Sequence, residues 1–316
     1  MNPVAPVRSV LGTAARVYAG QAAHAASVPA FMTVAIVTDS CHYLPAQLVA
    51  SNSIHQVSLY VHDGDRTLAE LRMDDYDAYY ERLRDLAKLP TTSQPSIGDF
   101  LDVYEPLLAE GQEIVSIHLA GGMSGTVRSA EQAREQLGGR AEQVHVVDSL
   151  SACGGEGLVV LAACAAARAG RTGAEVARHT RLARSELKMW FALDTLEYLR
   201  RGGRIAGAQA WLGAALRIKP ILTVESEITP VEKVRTSGRA FERMVDLLRT
   251  LAAEGRDAWM VQHIQAPDQA HELARRGTEL LGREPLVISE IGPVIGTHVG
   301  PGLLGAGGLP SGLLDG

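Results

Sequence analysis

Residues 114–127 read Ile114-Val-Ser-Ile-His-Leu-Ala-Gly-Gly-Met-Ser-Gly-Thr-Val127. The branched apolar run makes a strand, the glycine pair a loop, and the chain turns helical near Ser124. A strand that feeds a helix through such a loop is half of a parallel crossover, because neighbouring parallel strands need a covering helix between them. The pattern repeats on both sides. Strands are expected at 34–37, 54–61, 113–119 and 144–147. Helices are expected at 44–50, at 74–86 with Pro90 as a stop, through Phe100 and Leu108, and at 124–137. This is a parallel sheet covered on both faces.

Beyond residue 150 the rhythm changes. Residues 157–169 are Ala-rich and apolar nearly all round, the mark of a buried helix at a domain junction. A strand at 187–193, an antiparallel pair at 219–224 and 228–234, strands at 258–264 and 286–291 and helices at 239–253 and 267–281 follow. The expected architecture is α/β in two domains. Residues 32–170 form a three-layer α/β/α domain with a mainly parallel sheet, and residues 171–310 an α/β domain with a mixed sheet. Residues 1–31 read as a disordered or helical extension, since Met32 opens the first convincing strand; Met32 is then the expected true start, which the intact mass of protein made from the native gene would settle. Residues 305–316 are glycine-rich and read as frayed, with 311–316 as a tail.

Bulk properties narrow the function. The 316 residues are 46% hydrophobic and 21% charged, with a formal net charge of −6 and a mean hydropathy of +0.03. An acidic balance argues against nucleic-acid binding and against more than transient contact with an anionic membrane. Three scattered cysteines (Cys41, Cys153, Cys164) make no disulfide framework and fit a reducing cytoplasm. The ten histidines form neither HxxxH nor HExxH, so no metal site is expected.

Two segments carry the same device. Ser124, Gly125 and Thr126 stand at a helix start after a glycine loop, and Thr92-Ser-Gln-Pro-Ser96 precedes another helix, with Pro95 suited to a first helical position and Ser96 with Asp99 resembling a capping box. Helix N-termini with hydroxyls attract anions. Both can equally be ordinary caps. No GxxxxGK[ST] or GxGxxG fingerprint is present and few basic residues lie near, so a carboxylate suits them better than a polyphosphate. A serine hydrolase or acyltransferase is the rival. Gly122-Met-Ser-Gly-Thr126 approximates a nucleophile elbow, and Ser124, Asp148 or Asp194, and His298 follow the chain order of α/β-hydrolases, although Thr126 replaces the second glycine.

Eight segments in order carry a family likeness: Thr38-Asp-Ser40 with Leu44-Pro45, Thr92-Ser-Gln-Pro-Ser96, Met123-Ser-Gly-Thr126, Val147-Asp-Ser149 with Gly154-Gly-Glu-Gly157, Leu196-Glu-Tyr-Leu-Arg-Arg-Gly-Gly-Arg-Ile205, Ile218-Lys-Pro-Ile-Leu222, Glu232-Lys-Val-Arg-Thr236 and Gly296-Thr-His-Val-Gly-Pro-Gly302. From residue 32 to 304 the chain resembles the DegV family, the fatty-acid-binding subunits of bacterial fatty acid kinases. The resemblance implies a non-enzymatic carrier that holds one long-chain fatty acid between two domains and presents it to an ATP-dependent kinase subunit in phospholipid metabolism. It implies no cofactor and no catalytic residue of the chain's own. It further implies a carboxylate site at Thr92 and Ser124 with His298 nearby, joined by Ser93, Gly125 and Thr126, and a contact for partner or phosphate at Arg201 and Arg204. Residues 120–123 depart from the family's serine-bearing loop. The alanines and leucines of 158–167 and 206–216 are either tunnel wall or ordinary core.

The stretch Ile291-Gly-Pro-Val-Ile-Gly-Thr-His-Val-Gly-Pro-Gly302 holds one histidine among glycines and prolines that read as turns. By itself His298 is a structural histidine. Facing two hydroxyl clusters, it becomes one wall of a carboxylate clamp.

Overall fold

The computed structural model describes residues 33–205, 207–211 and 218–315. The expected extension at 1–31 lies outside the described residues, as does most of the expected wall at 206–216. The first strands and helices are β1 (Val34–Asp39), α1 (Ala46–Ser51), β2 (His55–Val57), β3 (Tyr60–Asp63), β4 (Arg66–Ala69), α2 (Tyr76–Asp85), β5 (Thr91–Ser93), α3 (Ile97–Ala109), β6 (Glu113–His118), α4 (Thr126–Gln136) and β7 (Val144–Asp148). Strands β2-β1-β6-β7 form a wholly parallel sheet. Helices α3 and α4 cover one face through Phe100, Tyr104, Leu107, Ala130 and Ala133.

The expected strand at 54–61 is two strands. The ladder breaks at Ser58 and Leu59, where the Leu59 amide donates to Ser40 Oγ instead of to a strand. Beyond the break, β3 turns through Gly64, whose φ of +60° suits a residue without Cβ, and pairs with β4 and β5 in a separate antiparallel sheet. The strands β4 and β5 are polar and short, so alternation did not mark them. Thr92 therefore belongs to a strand and not to a helix start. Helix α3 begins two residues later than Pro95 suggested, with Ser96 and Asp99 forming the capping box.

Helix α5 (Cys153–Arg168) is buried apart from Leu161 and Arg168. It packs against β1 and β6 of the parallel sheet and against the mixed sheet at two later strands, so its alanines are core and not cavity wall. After it come α6 (Gly173–Glu186), β8 (Lys188–Ala192), α7 (Glu197–Arg201), β9 (Lys219–Glu225), β10 (Glu227–Val234), α8 (Ser237–Ala253), β11 (Ala258–His263), α9 (Pro267–Leu281), β12 (Val287–Glu290), α10 (Pro293–Val299) and β13 (Leu304–Leu309). The strand order β10-β9-β8-β13-β11-β12 is antiparallel except for β11 with β12. Helix α6 is absent from the elements expected above, although Thr172 and Glu175 make a second capping box at its start.

Two corrections concern the C-terminal residues. Leu304–Leu309 is not frayed: it is a wholly buried strand inside the sheet. Its glycines lower β-propensity, yet a Cβ on Gly307 would lie 2.6 Å from that of Met189, so the neighbouring strand leaves no room for one. Residues 293–299 are not a series of turns but helix α10, with Pro293 at its first position and Gly300 at its C-terminal end at φ +75°. The same residue types mark both ends of a short helix.

Candidate functional site

Helix α10 is held from three sides. Tyr80 donates to the Ile291 and Gly292 carbonyls, and Tyr79 lies 2.5 Å from Thr297 Oγ1. The buried Glu70 accepts from the Val294 amide at 2.8 Å and from Tyr43 and Ser40. Burial raises its carboxyl to about 7, opposed by those hydrogen bonds. Gly296 and Gly300 admit the rings of Tyr80 and Tyr198 where a Cβ would collide. These contacts fix His298 in the last turn of α10.

The imidazole of His298 rests against Gly202, whose missing side chain leaves it room. Its Nε2 lies 2.7 Å from Thr92 Oγ1, while Nδ1 is buried without a partner. Burial, then the nearby Arg204 charge, lowers its pKa to about 4, so the ring is neutral at pH 7. In the Nε2–H tautomer the ring donates to Thr92 Oγ1, and the threonine hydroxyl hydrogen is free to point outward.

Ser124 Oγ sits 2.8 Å from Thr126 Oγ1 and accepts from the Thr126 amide at 3.3 Å. Thr126 is fully buried behind it and orients the serine without reaching the cavity. Gly125 touches Gln94, with 3.1 Å from an added Cβ to the Gln94 amide carbon, so the two hydroxyl segments meet. Ser93 is on the cavity, but its hydroxyl is engaged with His62 Nε2 at 2.8 Å.

Thr92, Ser93, Ser124, Gly125 and His298 line one cavity, together with Arg204. Its empty volume, open mouth included, is ≈ 910 Å³. The remaining wall is chiefly apolar and comes from the mixed sheet, the loop after β6 and α10, with Phe191, Met260, Leu119 and Val294 among its members. Arg204 is the single charged side chain on the wall among the described residues. One end thus offers hydroxyls, a neutral imidazole and a cation, and the rest offers hydrocarbon. The resemblance implies a contact for partner or phosphate at Arg204, whereas the structure places it beside the hydroxyls. Arg201 points elsewhere: its guanidinium donates to the Leu86 and Ala87 carbonyls.

The hydrolase geometry does not assemble. Ser124 is paired with Thr126, His298 Nε2 faces Thr92, and no carboxylate meets His298 Nδ1. Asp148 accepts from the Gly121 and Leu150 amides, and Asp194 is bonded to Lys219. A bonded Ser116–His118–Asp39 series does occur, at 2.6 and 3.1 Å. All three residues are 0% exposed, so no substrate reaches them. Among the described residues, no group of three His, Cys, Asp or Glu side chains is placed to hold a metal, and no helix is long and apolar enough to cross a membrane.

Fold and site together define a mixed α/β protein with a polar cleft that opens on a hydrocarbon-lined cavity. The chain belongs to the DegV family: the family model described as "Uncharacterised protein, DegV family" matches residues 33–310. It is 34% identical to Protein DegV of Bacillus subtilis over 279 residues, 87% of this chain and 98% of that one. It is 39% identical over 275 residues to a DegV domain-containing protein of Streptomyces coelicolor, covering 86% of this chain and 96% of the relative. Among solved structures it is similar to a DegV family protein from Thermus thermophilus described for its fatty acid binding, with TM-score 0.79 and 34% identity over 88% of this chain and 99% of the other. It also resembles DegV of Bacillus subtilis, described as a fatty acid binding protein, with TM-score 0.78 and 32% identity over 87% and 99%.

Proposed function

We propose that this chain binds one long-chain fatty acid, carboxylate in the polar cleft and tail in the apolar cavity, as a carrier without catalysis of its own. The observation that carries this reading is the union of Thr92, Ser124, His298 and Arg204 at one end of a cavity whose other walls are chiefly hydrocarbon. Two relatives of 34% and 32% identity described as fatty-acid binders support it. An ionised carboxylate accepts from the Thr92 and Ser124 hydroxyls, and Arg204 supplies the opposite charge. Each buried CH₂ contributes about 0.8 kcal/mol. The tail therefore supplies most of the affinity, and the head group fixes orientation.

The carboxylate at the cleft mouth, beside the exposed Arg204, is where a second protein would reach it. The proposal extends to presentation of the acid to a separate ATP-dependent kinase subunit, which forms the acyl phosphate for lipid metabolism in the cytoplasm. The test uses purified chain, palmitate, ATP and the candidate kinase from the same organism. Acyl phosphate should form only with all four, and Thr92→Ala with Ser124→Ala should reduce it at least tenfold. Unchanged turnover in that double variant would sink the head-group assignment.

A further inference from the structure

Strand β13 presents Gly305 and Gly307 on one face, toward α5, and Leu304 and Ala306 on the other, in the core with α8 and α9. Register places Gly305 between Phe191 of β8 and Gln262 of β11, and Gly307 between Met189 and Met260 of the same strands. All of these flanking side chains and Gly305 itself line the cavity. The central strand is thus bare backbone at the cavity floor, and its neighbours form the walls of a trough.

The two glycines differ in what stands over them. A Cβ on Gly305 would meet Phe191 and Leu303 at an ordinary 3.5–3.6 Å, so space is open above it. Gly307 has no such room beside it: an added Cβ would come within 2.6 Å of Met189 Cβ and 2.7 Å of the Lys188 carbonyl on the neighbouring strand. Met189 and Met260 are themselves roofed by the first turn of α5. The Met189 sulfur lies 2.6 Å from where a Cβ of Gly155 would be, and the Met260 methyl 2.7 Å from that of Gly154. The methionines are therefore wedged between a strand and a helix that both give up side chains to hold them. Methionine is unbranched and adjusts to the shape of its neighbour.

We infer that Gly305 is the floor on which the acyl chain lies and that Met189 with Met260 is the stop that sets the chain length this protein accepts. The inference rests on the fatty-acid reading above and adds the specificity of that site. Filling Gly305 shortens the trough from its floor, and trimming a methionine lengthens it.

The experiment offers delipidated protein an equimolar mixture of laurate, palmitate, stearate and arachidate, and reads the bound acids by native mass spectrometry. Gly305→Val should lower the stearate-to-laurate ratio about tenfold, the effect of losing room for two methylenes. Met260→Ala should shift the profile the other way, raising arachidate relative to palmitate. The opposed directions separate a steric stop from general damage, and the second variant keeps the test alive if the first folds poorly. Both variants binding the acids with the wild-type profile overturns the trough and leaves the carrier reading standing. A wild-type chain that binds none of the four overturns both.

Discussion

At the cleft, each polar residue has one part to play, and the parts differ. Ser124 and Thr92 offer hydroxyls, and a hydrogen bond to a charged group contributes about 1.5–3 kcal/mol. Ser124→Ala or Thr92→Ala should each weaken palmitate binding by roughly ten- to a hundredfold, measured by calorimetry. His298 acts through Thr92. Because burial holds its pKa near 4, it stays neutral from pH 5 to 8, and palmitate affinity should show no step near pH 6.5 over that range. A step that disappears in His298→Gln would contradict the neutral assignment. Ser124 should also stay unlabelled by a fluorophosphonate probe, since no base faces it. The residues of this cleft were largely legible in the sequence, because hydroxyls beside glycine, in a fixed order along the chain, leave a recognisable pattern. The family resemblance singles out Arg204 as a contact for partner or phosphate, not as part of this cleft. Its place depends on how the turn after α7 returns toward α10, and no local pattern encodes that return.

Among the elements, α10 positions the site, and its supports make separate predictions. Glu70 has an ordinary value of 4.5 that burial raises to about 7. Between those values the folded chain keeps a proton that the unfolded chain has lost, so this group's share of stability falls as pH rises through that window. The share is on the order of 3 kcal/mol. Glu156 shifts in the same direction and His42, lowered to about 4, in the opposite one. The informative quantity is therefore the difference between Glu70→Gln and wild type. Urea denaturation at pH 5 and pH 7.5 should find that difference moving in favour of the variant at the higher pH. At the other end of α10, Gly202→Ala would push a methyl into the His298 ring. Overpacking of this kind costs about 1–3 kcal/mol, and palmitate binding should weaken with the displaced histidine. Sequence reading took the glycines of 296–302 for turns. Gly296 and Gly300 also serve close packing against Tyr80 and Tyr198, which only the assembled structure reveals. Sequence periodicity recovered the long helices α8 and α9 and the apolar strands β1, β6 and β11. It passed over β4 and merged β2 with β3, where the residues are polar or the ladder breaks within an apolar run.

For the whole molecule, the buried helix α5 is the connection that matters, because it packs against both major sheets. We propose that a division after residue 170 follows the chain more than the packing, with α5 belonging to both halves. Strand β13 makes the same point from the C-terminus. It lies between β8 and β11, so deleting residues 304–315 should prevent folding, read as loss of the cooperative thermal transition by circular dichroism. A truncation that melts normally would show the strand to be dispensable. The most direct measurement on the fatty-acid reading itself is native mass spectrometry of the delipidated, folded chain incubated with excess palmitate. A one-to-one complex, heavier than the bare chain by the mass of palmitic acid and less populated in the Thr92→Ala and Ser124→Ala double variant, is the expected result. A chain that stays at its bare mass while its thermal transition shows it folded would contradict the reading.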